Sequence, residues 1–435
     1  MSRAISKVAR TAGLALAVVV LAVPAAGDDL AGALAAIDYG NDAAARAPLA
    51  ARAAEASFWQ AVAERGDARK AAAGRAAAAA GDEVAWIRAG ARALIAAVDG
   101  DRSAAAAAWR ETVAANPNDA RLWKLLGDEL EALGDRAGAQ DAWERAVAVQ
   151  PGHPAANLAL GDLRLENGDF GGAFNAYNHA IDERGEPISA WIGRASAKLY
   201  LGDVEGAVAD LEEASRRAPA GPVRYRALMG VVYVRAYQRQ LPAGLDRAEA
   251  AVRMWQELGR VDMVAATANA TARVLLETGD ADGAARWYER GWQAIEASSM
   301  PAAERTIWRV RSLHGLARAA AARRELGSAR QLAAEANTLM AGDAANAEHY
   351  AWIGPYLEGY LLLAERKPEA ALVELQRSEV ERPYIAYLIA EAHARSRSRE
   401  QARAWYERAL AASTGLDPES VIVRPLATAW LAKNR

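Results

Sequence analysis

Side chains capable of chemistry are few in this sequence, and they are not arranged as a known reactive group. The chain has no cysteine, which excludes disulfides, thiolate nucleophiles and thiolate metal sites. Its histidines lack the His-Glu-x-x-His spacing of a zinc site; they are His153, His179, His314, His349 and His393. There is no glycine-rich phosphate loop and no Gly-x-Ser-x-Gly elbow. We therefore expect no catalytic residue, no metal and no cofactor, and hence no enzyme.

An aromatic stripe is the strongest candidate for a small-ligand surface. Trp352, Tyr356 and Tyr360 are four residues apart, which places them on one face of a helix. Rings at this spacing usually pack between helices, but Tyr and Trp are also favoured anchors of binding surfaces. The stripe is therefore interpreted either as packing or as a surface for an extended peptide or a glycan. A buried acidic pair beside it would favour the second interpretation.

The secondary structure that positions these side chains can be predicted from a sequence repeat of 34 residues. Gly-Asp pairs recur at that interval, at Gly66-Asp67, Gly100-Asp101, Gly134-Asp135, Gly168-Asp169 and Gly202-Asp203. An alanine follows each glycine by five residues, at Ala71, Ala105, Ala139, Ala173 and Ala207. A strict repeat of this length predicts stacked two-helix units.

One unit can be followed through residues 120–153. Trp123 and Gly127 belong to an apolar face at helical spacing. Gly134 provides the left-handed residue that ends this helix, and Asp135 caps the next one. Such a hairpin cannot bury its own apolar face, so the following hairpin must cover it.

At these positions the sequence resembles the tetratricopeptide repeat (TPR) family. The matching residues of this unit are Trp123, Leu126, Gly127, Leu130, Ala139, Trp143, Ala146 and Pro151, with leucine at 130 where tyrosine is usual. The next two units match with Gly161, Ala173, Tyr177, Trp191, Ala207 and Pro219. The resemblance is strong over residues 86–221 and weaker over 52–85. It implies an all-α fold, a right-handed α-solenoid (superhelix) of TPR hairpins.

In this family the first helix of each unit lines a concave face that binds peptides or partner helices. The resemblance implies that the groove is lined by Arg121, Lys124, Asp128, Leu158, Asp162, Leu165, Ile192, Ser196 and Tyr200. Members that bind chaperone tails use Lys and Asn in a carboxylate clamp. Here Asp128 follows Lys124 by one turn where Asn is expected, so that clamp is not supported. The alternatives are a mixed apolar and polar groove or merely exposed helix surface.

Beyond residue 221 the period is lost, and longer helix pairs are expected. Helices are predicted over 223–240, 245–258, 261–277, 302–326, 329–340, 350–365, 369–380, 384–395 and 400–412. The predicted domains are regular TPR units over 52–221, divergent TPR-like helix pairs over 222–414 and a C-terminal capping helix over 415–435.

The first residues have the pattern of a secretory signal peptide. Arg3, Lys7 and Arg10 precede an apolar run from Leu14 to Val23, which small residues follow. This run is shorter than the roughly 20 residues of a membrane span. We therefore predict a signal peptide over 1–25, N-terminal capping helices over 26–51 and no stable membrane span after cleavage. The expected location is the periplasm of a Gram-negative host, or the medium after secretion.

Composition argues against a nucleic-acid partner, because 52 basic and 55 acidic residues are interspersed and give a net charge of −3. The functional hypothesis is an exported interaction or scaffolding module whose protein or peptide partner is unidentified, with envelope assembly or secretion as its setting. One alternative is an enzyme, or a helical protein that binds carbohydrate or another small ligand through the aromatic stripe. A second alternative is a structural spacer without a groove ligand.

The signal sequence generates a direct prediction. Cleavage after the apolar run should leave a mature chain that begins near Ala26 or Asp28, because small residues suit the signal-peptidase pocket. Intact-mass measurement of the exported protein tests this prediction. A mass that retains residues 1–25 would refute it.

Overall fold

The structure is a computed structural model that describes residues 54–80, 85–182 and 185–434. The predicted signal peptide and the predicted helices over 26–51 lie outside these residues. Every regular element in the described ranges is a helix, and consecutive helices pack as hairpins, which confirms the predicted all-α solenoid. None of these helices combines the length and apolar character that a membrane crossing requires. The described residues form two compact units that divide between Gly202 and Asp203.

The unit that ends at Gly202 consists of consecutive helix hairpins. Its helices are α1 (Ala54–Ala63), α2 (Gly66–Ala79), α3 (Ala85–Val98), α4 (Arg102–Ala115), α5 (Ala120–Leu133), α6 (Arg136–Val149), α7 (Pro154–Glu166), α8 (Phe170–Ala180) and α9 (Ile188–Leu201). In this unit the odd-numbered helices are called first helices and the even-numbered helices second helices. The first helices α1, α3, α5 and α7 each pack against the second helix that follows. Each second helix also packs against the first helix of the next hairpin.

A left-handed glycine and a capping aspartate connect the helices within a hairpin, as predicted. Gly134 has a φ of +86° and ends α5. Asp135 then accepts a hydrogen bond of 2.9 Å from the backbone N–H of Gly138 and caps α6. Asp101 and Asp169 cap α4 and α8 in the same way. Since these groups satisfy otherwise orphaned backbone donors, the Gly-Asp pair determines where each second helix begins.

The first Gly-Asp pair departs from this pattern. Helix α2 begins at Gly66 itself and has no side-chain cap. Ala71 is exposed, whereas Ala72 and Ala76 are buried. The buried stripe of this helix is therefore shifted by one residue from the register that the later units predict.

Aromatic rings of second helices lie directly on glycines of first helices. A Cβ atom at Gly127 would stand 2.3 Å from the indole nitrogen of Trp143, and one at Gly161 would stand 2.6 Å from the ring of Tyr177. Gly193, in the next first helix, meets the same Tyr177 ring. Only glycine allows the helices to approach this closely around a full ring. The glycine and the aromatic residue of the repeat signature are thus two halves of one contact.

The remaining signature residues complete the hairpins. Ala139, Ala146 and Ala173 are buried at helix crossings. Three first helices are each tied to the turn before them by a side-chain N–H that donates to the carbonyl oxygen six residues earlier. The pairs are Trp123 with Pro117 at 2.8 Å, Asn157 with Pro151 at 2.8 Å, and Trp191 with Gly185 at 2.9 Å.

The unit that begins at Asp203 also consists of packed helices. They are α10 (Val204–Arg217), α11 (Pro222–Tyr237), α12 (Leu245–Glu257), α13 (Val261–Thr278), α14 (Ala281–Glu296), α15 (Ala302–Ala322), α16 (Leu326–Gly342), α17 (Ala347–Tyr350), α18 (Ile353–Ala364), α19 (Pro368–Leu375), α20 (Pro383–Arg395), α21 (Arg399–Ala412) and α22 (Pro418–Lys433). Ala207 is buried in α10, and Pro219 follows that helix. Because the short helix α17 shifts the numbering, the first helices of the hairpins in this unit are α11, α13, α15, α18 and α20, and they pack side by side in this order.

Arginine replaces glycine at several turns of this unit, which explains why the Gly-Asp signal becomes sparse, although Gly279-Asp280 keeps it and Asp280 caps α14. The left-handed residues include Arg324, Arg366 and Arg397, with φ values of +67°, +63° and +62°. Each precedes a fully buried alanine by five residues, as Gly134 precedes Ala139. The turn geometry is therefore kept although its sequence signature is lost, at a cost of roughly 1–2 kcal/mol for each left-handed arginine.

Some predicted helix boundaries are wrong for related reasons. The helix predicted over 302–326 ends at Ala322, because the chain turns at Arg324. The segment predicted as one helix over 350–365 contains the end of α17 and then α18, which begins two residues before Pro355. Proline is tolerated in a first helical turn because its missing N–H would have no partner there. The helix predicted over 369–380 ends at Leu375.

The left-handed arginines generate a stability prediction. Arg324→Gly should raise the free energy of unfolding by about 0.5–1 kcal/mol, because glycine removes the left-handed cost but loses more backbone entropy on folding. Urea unfolding followed by circular dichroism measures the change. The matched control is Arg324→Ala, which keeps the Cβ atom and should leave stability nearly unchanged. Equal stabilisation by both substitutions would contradict the explanation.

Candidate functional site

Two carboxylates on the first-helix face of the unit ending at Gly202 are held by the second helices. Trp143 Nε1 donates to Asp128 Oδ1 at 3.3 Å, and Tyr177 Oη donates to Asp162 Oδ1 at 2.7 Å. Asp162 is exposed and Asp128 is partly exposed. Both side chains therefore keep contact with solvent while an aromatic ring from beneath fixes one of their oxygens.

The repeat geometry creates this arrangement. Each aspartate follows the glycine on which the aromatic ring lies, and the donor is fifteen residues further along the chain. We call the first-helix position fifteen residues before the second-helix aromatic residue, occupied here by Asp128 or Asp162, the facing position. In the other unit, Tyr406 donates a hydrogen bond to Glu391, which is also fifteen residues earlier in the chain. The residue before Glu391 is the buried Ala390, at the place that glycine occupies before Asp128 and Asp162. This spacing between an acidic residue and an aromatic residue was the sequence signal from which the contact could have been predicted.

The other predicted groove residues on α5 and α7 have defined partners. Lys124 forms an ion pair of 2.5 Å with Asp128, within one helical turn. Arg121 pairs with Asp119 at 2.8 Å, and its guanidinium lies 4.6 Å from the ring centroid of Trp59. Leu158 and Leu165 are partly buried against a cluster that contains Ala173, Tyr177 and Ala190. This part of the predicted groove is therefore a mixed polar and apolar surface.

On α9 the prediction of a groove lining fits less well. Ile192 and Ser196 are each only 3% exposed, and the Ser196 hydroxyl donates to the Ile192 carbonyl oxygen. Tyr200 is partly exposed and its ring packs against Phe170, with centroids 4.9 Å apart. The family resemblance implied Ile192 and Ser196 as groove residues, but in the structure they lie in the interior, each with only 3% of its surface exposed.

The aromatic stripe of the other unit is mostly an interior feature. Trp352 precedes α18, Tyr356 is 3% exposed and Tyr360 is partly buried. The rings of Trp352 and Tyr356 are stacked, with centroids 6.1 Å apart. A sugar-binding surface needs accessible ring faces, whereas these rings face arginine side chains.

Those arginines form a buried cluster that the sequence analysis missed. Arg318, 2% exposed, donates to Tyr356 Oη at 2.6 Å and to Glu277 Oε1 at 3.1 Å. Tyr384 also donates to Glu277. Arg273 pairs with Glu419 at 3.0 Å. We call this set the arginine cluster; it comprises Arg273, Arg318, Arg382, Glu277, Glu419, Tyr356 and Tyr384.

Within the arginine cluster, Glu419 lies between Arg273 and Arg382. Arg273 and Arg382 both donate to its Oε1 atom, and the backbone N–H of Tyr384 donates to Oε2. Burial alone would raise the pKa of Glu419, but the two guanidinium groups outweigh it and lower the pKa to about 2. The carboxylate therefore stays ionised at neutral pH.

His314 stands beside this cluster, with its ring 4.8 Å from that of Tyr356. Burial first, and then the positive charges of Arg318, Arg273 and Arg382, hold the pKa of His314 well below its usual value. His314 is consequently neutral near pH 7, whereas Glu419 is charged. The charges of the cluster near neutral pH are therefore the guanidinium groups and the Glu419 carboxylate, while His314 contributes none.

Among the other histidines, His153 has a structural role. Its Nδ1 atom accepts a hydrogen bond of 3.2 Å from the backbone N–H of Ala156 and caps α7. It therefore performs in this turn the function that aspartates perform elsewhere.

The consecutive packed helix hairpins define a helical-repeat protein. Residues 125–186, which include most of α5 and all of α6, α7 and α8, match the tetratricopeptide repeat family. No curated protein matches the chain significantly.

Solved structures provide more distant similarities. A tetratricopeptide repeat protein from Parabacteroides merdae is 16% identical, with a TM-score of 0.37 over 71% of this chain and 98% of that one. PilW, a widely conserved type IV pilus biogenesis factor, is 13% identical, with a TM-score of 0.35 over 57% of this chain and 91% of its own. Yeast Tom70 is 13% identical, with a TM-score of 0.47 over 85% of this chain and 87% of its own.

The lowered pKa of Glu419 predicts how stability depends on pH. Because the folded pKa of about 2 lies below the usual 4.5, the stabilisation is complete above pH 4.5 and is lost as the pH falls towards 2. Glu419→Gln should reduce the free energy of unfolding by about 3 kcal/mol at pH 7 and by much less at pH 2.5.

Urea unfolding at the two pH values measures this difference. The matched control is Glu348→Gln at an exposed position, which should have little effect at either pH. A loss caused by Glu419→Gln that is the same at pH 7 and pH 2.5 would contradict the assigned ion pairs.

Proposed function

We propose that this protein is an exported interaction or scaffolding module that binds a peptide or partner helix on the first-helix face of α5 and α7. The observation that carries the proposal is the pair of aromatic-to-aspartate hydrogen bonds at the facing position. Trp143 and Tyr177 hold Asp128 and Asp162 in place while both carboxylates remain accessible. A binding surface with fixed acceptors loses less side-chain entropy when a ligand docks.

The residues of this face suggest what the ligand presents. Asp128 and Asp162 would accept hydrogen bonds from basic side chains or from backbone N–H groups of a peptide. Leu158 and Leu165 are only partly buried and would contact apolar side chains of the same ligand. Lys124, paired with Asp128, would favour a ligand that also has acceptors. The expected partner is therefore an amphipathic segment with a basic side.

Export belongs to the same proposal and is supported by the basic, apolar and small-residue pattern of residues 1–27. In a Gram-negative host the module would act in the periplasm, on a partner from envelope assembly or secretion.

Site-specific photocrosslinking in the producing cell tests the proposed face. A photoreactive amino acid at position 158 or 162 should give a discrete adduct with one partner, because both side chains lie on the binding face. The matched control is position 178, an exposed residue on second helix α8. Asp162→Lys should abolish the adduct from position 158, since it reverses the charge at the facing position.

Adducts of equal yield from positions 158 and 178 would refute the face. If positions 158 and 162 give no adduct while the protein is folded and exported, the chain acts as a spacer without a ligand on this face.

A further inference from the structure

Helix α22 packs in a way that distinguishes it from the helices of the hairpins. It contacts α21, the helix before it in sequence, and also α11, α13 and α20. These three are first helices, and they come from different hairpins of the unit that begins at Asp203. The sequence predicts a capping helix here. Besides packing on α21, as a cap would, α22 also lies on three first helices of the unit.

Glu419 is bound through hydrogen bonds to its carboxylate, as a charged ligand group would be, whereas the hairpins pack mainly through apolar side chains. Glu419 is 7% exposed and lies in the first turn of α22. Its carboxylate receives hydrogen bonds from Arg273 of α13, from Arg382 before α20 and from the backbone N–H of Tyr384. Every one of these donors comes from the face on which α22 lies. Bonds from guanidinium groups to a buried carboxylate are strong and direction-dependent, so they specify what the face accepts.

Burial of α22 is concentrated near its beginning. Residues 419–423 and Ala427 are buried, whereas Thr428, Ala429 and Lys433 are exposed. Pro425 interrupts the helical hydrogen bonds in the middle of the helix. The later half has one large ring contact, the stacking of Trp430 on Tyr406 with centroids 4.4 Å apart. Helix α22 is therefore held mainly through residues 419–423, where the buried carboxylate of Glu419 lies beside three buried apolar side chains.

The charge balance beneath α22 defines what any replacement must provide. In the described part of the chain, Arg273, Arg318 and Arg382 pair with Glu277, Glu379 and Glu419. Without Glu419 the face would keep one uncompensated positive charge in a buried setting, which is costly. The Nε atoms of Arg273 and Arg318 are already buried without a hydrogen-bond partner in the described structure. An apolar helix could cover this face but could not neutralise it.

We propose that the first-helix face of α11, α13 and α20 is a second binding surface, and that α22 is its intramolecular occupant. The partner that this face fits is a helix with a glutamate or aspartate in its first turn, which replaces Glu419 between Arg273 and Arg382. Partner binding and release of α22 are then mutually exclusive. This surface lies within the unit that begins at Asp203 and is independent of the face proposed above on α5 and α7.

A peptide that reproduces α22 is the direct probe. A fluorescent peptide of residues 415–434 is titrated into the full-length chain, and the Kd is measured by anisotropy. The Glu419→Gln chain should bind the peptide at least tenfold more tightly than the wild-type chain, because its own α22 is held less firmly. A matched peptide with the Glu419→Gln change should bind that chain at least tenfold more weakly than the native peptide.

Hydrogen exchange shows whether the peptide displaces α22 in the wild-type chain. Saturating peptide should speed amide exchange within residues 418–433 and leave residues 85–202 unchanged. The peptide comparison requires no further change in the chain, so a folding defect cannot imitate it. The proposal is overturned if the peptide binds neither chain, binds both equally, or binds without regard to its glutamate. Crosslinking at positions 158 and 162 would be unaffected by that outcome.

Discussion

The close approach of two helices around a ring is the constraint on which this structure depends. The rings of Trp143 and Tyr177 lie on glycines of the first helices, where a Cβ atom would overlap the ring. Left-handed turns hold the two helices at that distance. Once this contact is made, the residue after the glycine must lie beside the tip of the ring. The same contact that packs the core therefore places a polar residue on the first-helix face.

The facing position explains how one repeat geometry gives two different surfaces. In the unit ending at Gly202 it is occupied by Asp128 and Asp162. In the unit beginning at Asp203 the residues fifteen before Tyr288 and Ala333 are Arg273 and Arg318, each after a buried alanine. The position therefore carries acceptors at Asp128 and Asp162 and guanidinium groups at Arg273 and Arg318, while Glu391 places an acceptor there in a later hairpin.

The sequence was sufficient to predict the hairpins over residues 86–221, because glycine, aspartate and aromatic residues recur there at a strict interval. Beyond residue 221 the turns persist with Arg324, Arg366 and Arg397 in left-handed conformations, so composition no longer reveals them. The arginine cluster was not predicted because Arg273, Arg318 and Glu419 are far apart in sequence and meet only through packing. The burial of Ile192 was missed for the same reason, since the sequence pattern identifies the face of a helix but not what covers that face.

A double-mutant cycle on Tyr177 and Asp162 tests the central claim most directly, namely that the packed ring positions the carboxylate. Free energies of unfolding are measured for the wild-type chain, Tyr177→Phe, Asp162→Ala and the double variant. The account predicts a coupling of about 1 kcal/mol, typical of a hydrogen bond to a charged group at a partly exposed site. A coupling indistinguishable from zero, with both single variants folded, would show that the ring and the carboxylate are merely neighbours.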